Sequence, residues 1–134
     1  MKKLKICVLG TGYASVSYLP PLKNIHQVEI SSIYGRNIKI LKKLAKQYKI
    51  KNIYNNLNDL LKNCSDDFYC NVLPPKQQYD YSKKILLIKK KPVICEKPFT
   101  SSYNEAKKLG LSFFKNKIDC FVNHQMRFEP LRFK

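Results

Sequence analysis

The sequence predicts an α/β fold: a doubly wound parallel sheet with helices on both faces. Three observations lead there. Short apolar runs of β type alternate along the chain with longer runs at helical spacing, the pattern of repeated strand–helix crossovers. Right-handed crossovers of that kind wind a parallel sheet. The residues able to do chemistry fall just after the strand-like runs, where such sheets bind ligands.

The elements follow in order. Residues 4–9 form an apolar strand that ends at Gly10. Residues 13–19 can start a helix, with Pro20 and Pro21 kinking or ending it. Residues 28–34 read as the second strand, and Ile40, Leu41, Leu44, Ala45 and Tyr48 then repeat at helical spacing. Residues 50–54 suit a short third strand and residues 57–61 a short helix, capped by Asn56. Residues 68–73 read as a fourth strand stopped by Pro74 and Pro75, after which Tyr81, Ile85 and Ile88 mark a helix. Residues 92–95 form a fifth strand with proline at its start, where the missing N–H is tolerated. Ser102 and Glu105 have capping-box spacing and open a helix through Phe113. Residues 120–122 make a sixth strand, and no complete element is expected from Gln125 to Lys134.

At 134 residues and 44% hydrophobic content the chain can build one core without disulfides or metal. No run approaches the ~18 apolar residues of a membrane span, and the basic start at Lys2, Lys3 and Lys5 is followed by Gly10, Gly12 and Ser15 rather than by a secretory apolar stretch. The net charge of +17 raises a nucleic-acid reading. Lys outnumbers Arg 23 to 3, however, and the lysines are spread along the chain. Base and phosphate recognition favours the forked guanidinium, so a solvated basic surface that attracts anionic cofactors is the expectation, with no nucleic acid and no membrane as partner. Cys7, Cys64, Cys70, Cys95 and Cys120 are odd in number and contain no CxxC pair. They suit free thiols in a reducing cytoplasm, and with only His26 and His124 besides, no metal-ligand spacing appears.

Gly10, Thr11, Gly12, Tyr13, Ala14 and Ser15 lie between the first strand and the first helix. A dinucleotide fingerprint needs its first glycine for the tight turn and its second so that backbone can approach a pyrophosphate. Ser15 stands where a third small residue is wanted. The amides and positive dipole end of the helix N-terminus would face the phosphates, so the opening unit reads as a Rossmann fold. After the second strand come Gly35, Arg36 and Asn37, with no acid among them. A carboxylate there would bind a ribose 2′-hydroxyl, whereas Arg36 can pair with a 2′-phosphate. The cofactor is expected to be NADP(H) in preference to NAD(H), the alternative being an exposed loop charge that leaves NAD(H) accepted.

Val93-Ile94-Cys95-Glu96-Lys97-Pro98-Phe99 resembles the signature of the Gfo/Idh/MocA oxidoreductases. The Gly10-to-Tyr13 turn, Leu73-Pro74-Pro75 and the run from Asn123 to Phe128 fall in matching order and spacing over essentially the whole chain. The resemblance implies a hydride exchanged between nicotinamide and a sugar, cyclitol or nucleotide-sugar hydroxyl or keto group. It implies that Lys97 contacts the reacting oxygen, where an ammonium stabilises a developing alkoxide, and could share in proton transfer were its pKa lowered. Glu96 would orient the loop or hydrogen-bond the cofactor, Pro98 would fix the turn in a cis bond common in the family, and Leu73, Pro74 and Pro75 would lie beside the nicotinamide ribose. The family often has a His a few residues on; Gln78 or Tyr79 stands there instead. Asn123 matches the last strand end. Arg127 would meet a substrate carboxylate or phosphate or form an interdomain salt bridge, and His124 reads as structural.

The resemblance also implies a second α/β domain that carries the substrate pocket, the catalytic His and the subunit interface of a homo-oligomer. Residues 1–123 then form the cofactor domain and residues 124–134 the segment leading out of it. An exposed apolar face is expected where the second domain would pack. The alternative is a dinucleotide-binding module without turnover.

Overall fold

Alternating side chains on one strand divide the interior in two. On β1 (Leu4–Leu9), Ile6 and Val8 face one apolar cluster while Cys7 and Leu9 face another. The computed structural model describes residues 2–129. Besides β1 they form β2 (Val28–Tyr34), β3 (Asn52–Tyr54), β4 (Phe68–Asn71), β5 (Val93–Glu96) and β6 (Cys120–Asn123). The described pairings are all parallel, in the order β3-β2-β1-β4-β5-β6. The chain winds outward from β1 through β2 to β3, then returns to β4 on the other side of β1. That reversal parts the loops after β1 and β4 and leaves a crevice between them.

Helices α1 (Tyr13–Ser17), α2 (Leu19–Lys23) and α3 (Ile38–Tyr48) cover the Ile6–Val8 face through Ala14, Leu19, Leu41, Leu44 and Ala45. Helices α4 (Leu57–Asn63), α5 (Pro75–Lys84) and α6 (Tyr103–Lys115) cover the other face, with Leu60, Leu61, Leu109 and Phe113 buried there. The doubly wound sheet is therefore as expected, and the departures have local causes.

The single helix expected over residues 13–19 is two short helices joined at Tyr18. The amide of Tyr18 still donates to Ala14 and its carbonyl accepts from Leu22, at 3.1 and 3.0 Å. Pro20 and Pro21 have no N–H for the carbonyls one turn back, yet their fixed φ suits a first helical turn, so they open α2 rather than end a helix. In α3 the apolar stripe is Leu41, Leu44 and Ala45; Ile40 is 43% exposed. The fourth strand stops at Asn71, two residues early, and Pro75 starts α5, where no N–H is needed. After Lys84 the helix widens into a π-helix (Ile85–Lys89), closed by the Lys90 amide on the Ile85 carbonyl, and Ile88 turns outward.

The capping signals hold with one shift. Asn56 Oδ1 accepts from the Asn58 and Asp59 amides, and Ser102 Oγ from the Glu105 amide. Glu105 reaches back to the Ser101 amide rather than to Ser102. Strand β6 is a sheet edge with Phe121 half exposed, and Phe114 and Phe128 are each 81% exposed. A short 3₁₀ turn (Gln125–Phe128) follows β6. Residues 130–134 of the expected outgoing segment lie outside the described residues.

Leu41→Ala should lower unfolding stability by about 2–5 kcal/mol in urea, because the fully buried side chain leaves a cavity. Ile40→Ala, one position away on the exposed edge, should cost less than about 1 kcal/mol. Equal losses would contradict the helix register.

Candidate functional site

The crevice between the β1 and β4 loops has a volume of about 480 Å³. Its walls are residues 10–13 after β1, residues 34–36 at the end of β2, residues 72–75 and Gln77 after β4, and Glu96 and Lys97 at the end of β5. Two glycines make close approaches, and a third makes none. Gly10 has φ +121°, and a Cβ there would sit 2.9 Å from the Val72 carbonyl oxygen. A Cβ on Gly35 would sit 2.6 Å from Thr11 Cγ2. At Gly12 a Cβ would meet nothing within 4 Å, so no packing contact of the protein requires this glycine. What it leaves bare is backbone at the mouth of α1, whose Tyr13 and Ala14 amides have no intrahelical acceptors.

Ser15, at the position of the fingerprint's third small residue, is half-buried. Its hydroxyl and amide both donate to the Gly12 carbonyl, at 2.7 and 3.0 Å, and the buried neighbour is Ala14. The turn is thus tied off on its carbonyl side.

Glu96 is 6% exposed and draws three donors to its carboxylate. Tyr18 Oη donates to Oε1 at 2.8 Å, Asn123 Nδ2 to Oε1 at 2.7 Å, and the Lys97 amide to Oε2 at 3.2 Å. Asn123 Nδ2 also reaches Tyr18 Oη at 2.9 Å. Burial, then the carboxylate it donates to, push the Tyr18 hydroxyl well above its ordinary range. The network ties the joint of α1 and α2 and the end of β6 to the loop that carries Lys97. Lys97 itself is exposed at the crevice, and the Lys97–Pro98 bond is cis.

The remaining candidates divide. Thr11, Tyr13, Gly35, Arg36, Leu73, Pro74 and Pro75 line the crevice as expected. Gln78 does not. It is 1% exposed, and its Nε2 donates to the carbonyls of Glu96 and Pro98, both at 3.0 Å, stapling the loop from beneath while Gln77 faces the crevice. Asn37 also turns away: its Oδ1 caps α3 by accepting from the Lys39 and Ile40 amides. Asn123 acts through Glu96 rather than on the crevice wall, and Arg127 is exposed on the 3₁₀ turn outside it.

Tyr18 and Asn71 were not among the residues that the sequence singled out. Asn71 Nδ2 donates to the Gln78 carbonyl and Ser82 Oγ and shapes the turn into Pro74. Tyr34 Oη lies 3.0 Å from Tyr81 Oη across the sheet end, and its burial pushes that hydroxyl up to about 12. A polar residue closing an apolar strand was the available signal for Asn71; Tyr18 meets Glu96 across 78 residues and left none. The fold also assembles a thiol cluster that spacing did not reveal. Cys7 and Cys64 are buried together, and the neighbouring Cys7 thiol holds the Cys64 thiol below its ordinary range against its burial.

Comparison with known proteins agrees with this geometry. The model of the Gfo/Idh/MocA oxidoreductase family, NAD-binding Rossmann fold, matches residues 4–124. An uncharacterised oxidoreductase of Synechocystis is 28% identical over 95% of the chain and 34% of its own length. D-apiose dehydrogenase of Rhizobium rhizogenes is 26% identical over 96% of the chain and 37% of its own length. The chain therefore spans about a third of the curated relatives it matches. Among solved structures, an oxidoreductase from Agrobacterium radiobacter in complex with NAD+, L-tartaric acid and magnesium superposes with a TM-score of 0.89 at 24% identity, over 96% of this chain and 37% of that one. Scyllo-inositol dehydrogenase of Lactobacillus casei, with NAD(H) and scyllo-inositol, gives 0.88 at 15%, over 96% and 38%. A 3-ketoreductase from Actinomadura kijaniata in complex with TDP-benzene and NADP gives 0.88 at 19%, over 98% and 41%. The chain belongs to the Gfo/Idh/MocA oxidoreductase family and carries its NAD-binding Rossmann fold.

Tyr18→Phe removes one donor from the buried carboxylate and should lower stability at neutral pH by about 1–3 kcal/mol. Because the folded hydroxyl titrates above the 10.0 of a free tyrosine, its contribution is complete below that pH and is lost as pH rises beyond it. The stability gap between wild type and variant should stay flat up to about pH 9 and narrow in more alkaline buffer. A gap that widens there would contradict the network.

Proposed function

We propose that the chain is the cofactor-binding part of an oxidoreductase that exchanges a hydride between a nicotinamide and a hydroxyl or keto group of a sugar, cyclitol or nucleotide sugar, with NADP(H) preferred to NAD(H). One observation carries the reading: a single crevice is walled by the Gly10–Gly12 turn, by Arg36 and by Lys97. The residues fit a dinucleotide. Gly12 bares backbone into open space, and Gly10 lets the turn close against Val72. The first-turn amides of Tyr13 and Ala14 would hold the pyrophosphate with Thr11 beside them, Gly35 and Arg36 the adenosine ribose and its 2′-phosphate, and Leu73, Pro74 and Pro75 the nicotinamide ribose. When bound, the cofactor supplies or accepts the hydride at the nicotinamide ring.

Lys97 would hold the substrate oxygen and stabilise the negative charge it gains as hydride leaves the adjacent carbon. Glu96, Asn123 and Gln78 would set that lysine's loop, and Pro98 its turn. The named relatives support a polyhydroxylated substrate, since one acts on D-apiose and a solved neighbour holds scyllo-inositol. The net charge of +17 favours capture of an anionic dinucleotide. Residues from 124 onward would lead into a domain that completes the substrate pocket, supplies a catalytic histidine and forms the oligomer interface, with Arg127 serving substrate or interdomain contact. The free thiols suit a cytoplasmic setting. Because the chain spans about a third of those relatives, we expect the 134 residues alone to bind dinucleotide without turnover.

Titration of the chain with NADPH, NADH and nonspecific DNA tests the binding. NADPH should bind more tightly than NADH, and Arg36→Ala should weaken NADPH by about two- to fivefold, the value of a solvent-exposed charge pair, while leaving NADH nearly unchanged. Unaltered NADPH affinity would refute the 2′-phosphate assignment, and salt-sensitive DNA binding without dinucleotide binding would replace the whole reading. In a protein carrying the remaining length of its relatives, Lys97→Ala should lower kcat by about 10²–10³ with cofactor affinity retained.

A further inference from the structure

Three buried groups gather away from the crevice. Cys7 Sγ, Cys64 Sγ and a carboxylate oxygen of Asp66 lie within 4.8 Å of one another. Their residues are 0%, 1% and 2% exposed. Asp66 Oδ2 has no hydrogen-bond partner. Neither ion pair seen among the described residues reaches it: Lys91 pairs with Asp67 and Lys51 with Glu29. A carboxylate oxygen taken out of water without a donor or a cation is destabilising. Two thiols beside it supply potential anions rather than positive charge. A cation held by all three would remove the conflict at once.

We propose that Cys7, Cys64 and Asp66 form a closed structural site for a thiophilic divalent cation, with Zn²⁺ the best fit. Two thiolates select a soft or borderline ion over Mg²⁺ and Ca²⁺, which take oxygen ligands. Structural zinc is four-coordinate. Ser32 stands ready for the fourth place, directly or through a water: it is fully buried and its Oγ accepts from Cys64 Sγ at 3.7 Å. Binding exchanges the thiol protons for the metal, with the protons released to solvent and no change of oxidation state. Cys7 lies within β1, Cys64 directly follows α4, and Asp66 precedes β4. The ion would pin the end of α4 to the centre of the sheet, and none of the three residues lines the crevice.

The test uses the unsubstituted chain, prepared under reductant in zinc-supplemented medium and freed of loosely held ions by gel filtration. Metal analysis should find one equivalent of zinc, added Zn²⁺ should raise the melting temperature of the stripped chain, and Mg²⁺ should not. Co²⁺ in its place should give an intense thiolate-to-metal band in the near ultraviolet. Asp66→Asn and Cys64→Ser should lose the ion, while Cys120→Ala, at a half-exposed thiol outside the cluster, should keep it. Since a buried substitution can unfold the chain, the melting shift of the unsubstituted protein decides independently. Zinc well below one equivalent with no melting shift, loss of zinc in Cys120→Ala, or a mapped Cys7–Cys64 disulfide in reductant-treated protein would each overturn the proposal.

Discussion

Glu96 sits almost out of solvent at the end of β5 and holds its place because Tyr18, Asn123 and the Lys97 amide all donate to it. Each donor comes from a different part of the chain: the α1–α2 joint, the end of β6 and the loop itself. A buried charge short of one hydrogen bond costs about 1.5–3 kcal/mol, so the three elements are held in one arrangement by a penalty for leaving it. Lys97 follows Glu96 by one residue, and its position at the crevice depends on that arrangement. Gln78 secures the same loop from below through the Glu96 and Pro98 carbonyls. The loop is thus fixed on two sides, and the ammonium is presented on rigid backbone although its own side chain is exposed.

The opposite wall is made by omission of side chains. Gly10 and Gly35 allow strand-end loops to come within contact distance of Val72 and Thr11, and Gly12 leaves backbone uncovered. These are different uses of one residue type. At Gly10 the constraint is both positive φ and a nearby carbonyl; at Gly35 it is a neighbouring side chain; at Gly12 it is the absence of any neighbour. The crevice exists because the first two draw its rim together while the third keeps its floor clear.

Much of this was legible in the residues. Strand and helix alternation gave the layers because each element buries a face of its own period, and the glycine turn and Glu96-Lys97-Pro98 were placed at strand ends that the parallel topology brings together. Local polar signals were reliable where the partner was near in sequence, as at Asn56 and Ser102. They were incomplete where a side chain had a second use: Asn37 sits in the loop after β2 and caps α3, and Gln78 lies beside the crevice and staples a loop. Tyr18, by contrast, reads as an ordinary apolar helix residue, and only the fold shows its hydroxyl on Glu96. The π-turn at Ile85–Lys89 was equally silent, since one inserted residue in a helix leaves the apolar count unchanged.

The same division between local and distant partners bears on cofactor choice. At the end of β2, Asn37 Oδ1 is occupied by helix capping and the Tyr34 hydroxyl pairs with Tyr81. Arg36 is left as the charged side chain of that crevice wall, and it is exposed. An exposed guanidinium attracts a phosphate through screened charge and imposes no penalty on a bare hydroxyl. A carboxylate in the same place would act the other way, repelling the phosphate outright. If a dinucleotide binds as proposed, Arg36 would add an attraction for a 2′-phosphate rather than exclude NAD(H), and a preference of that kind is graded by nature. Strong exclusion would need a second element facing Arg36 that is unfavourable to the unphosphorylated ribose, and the described residues on that wall provide none.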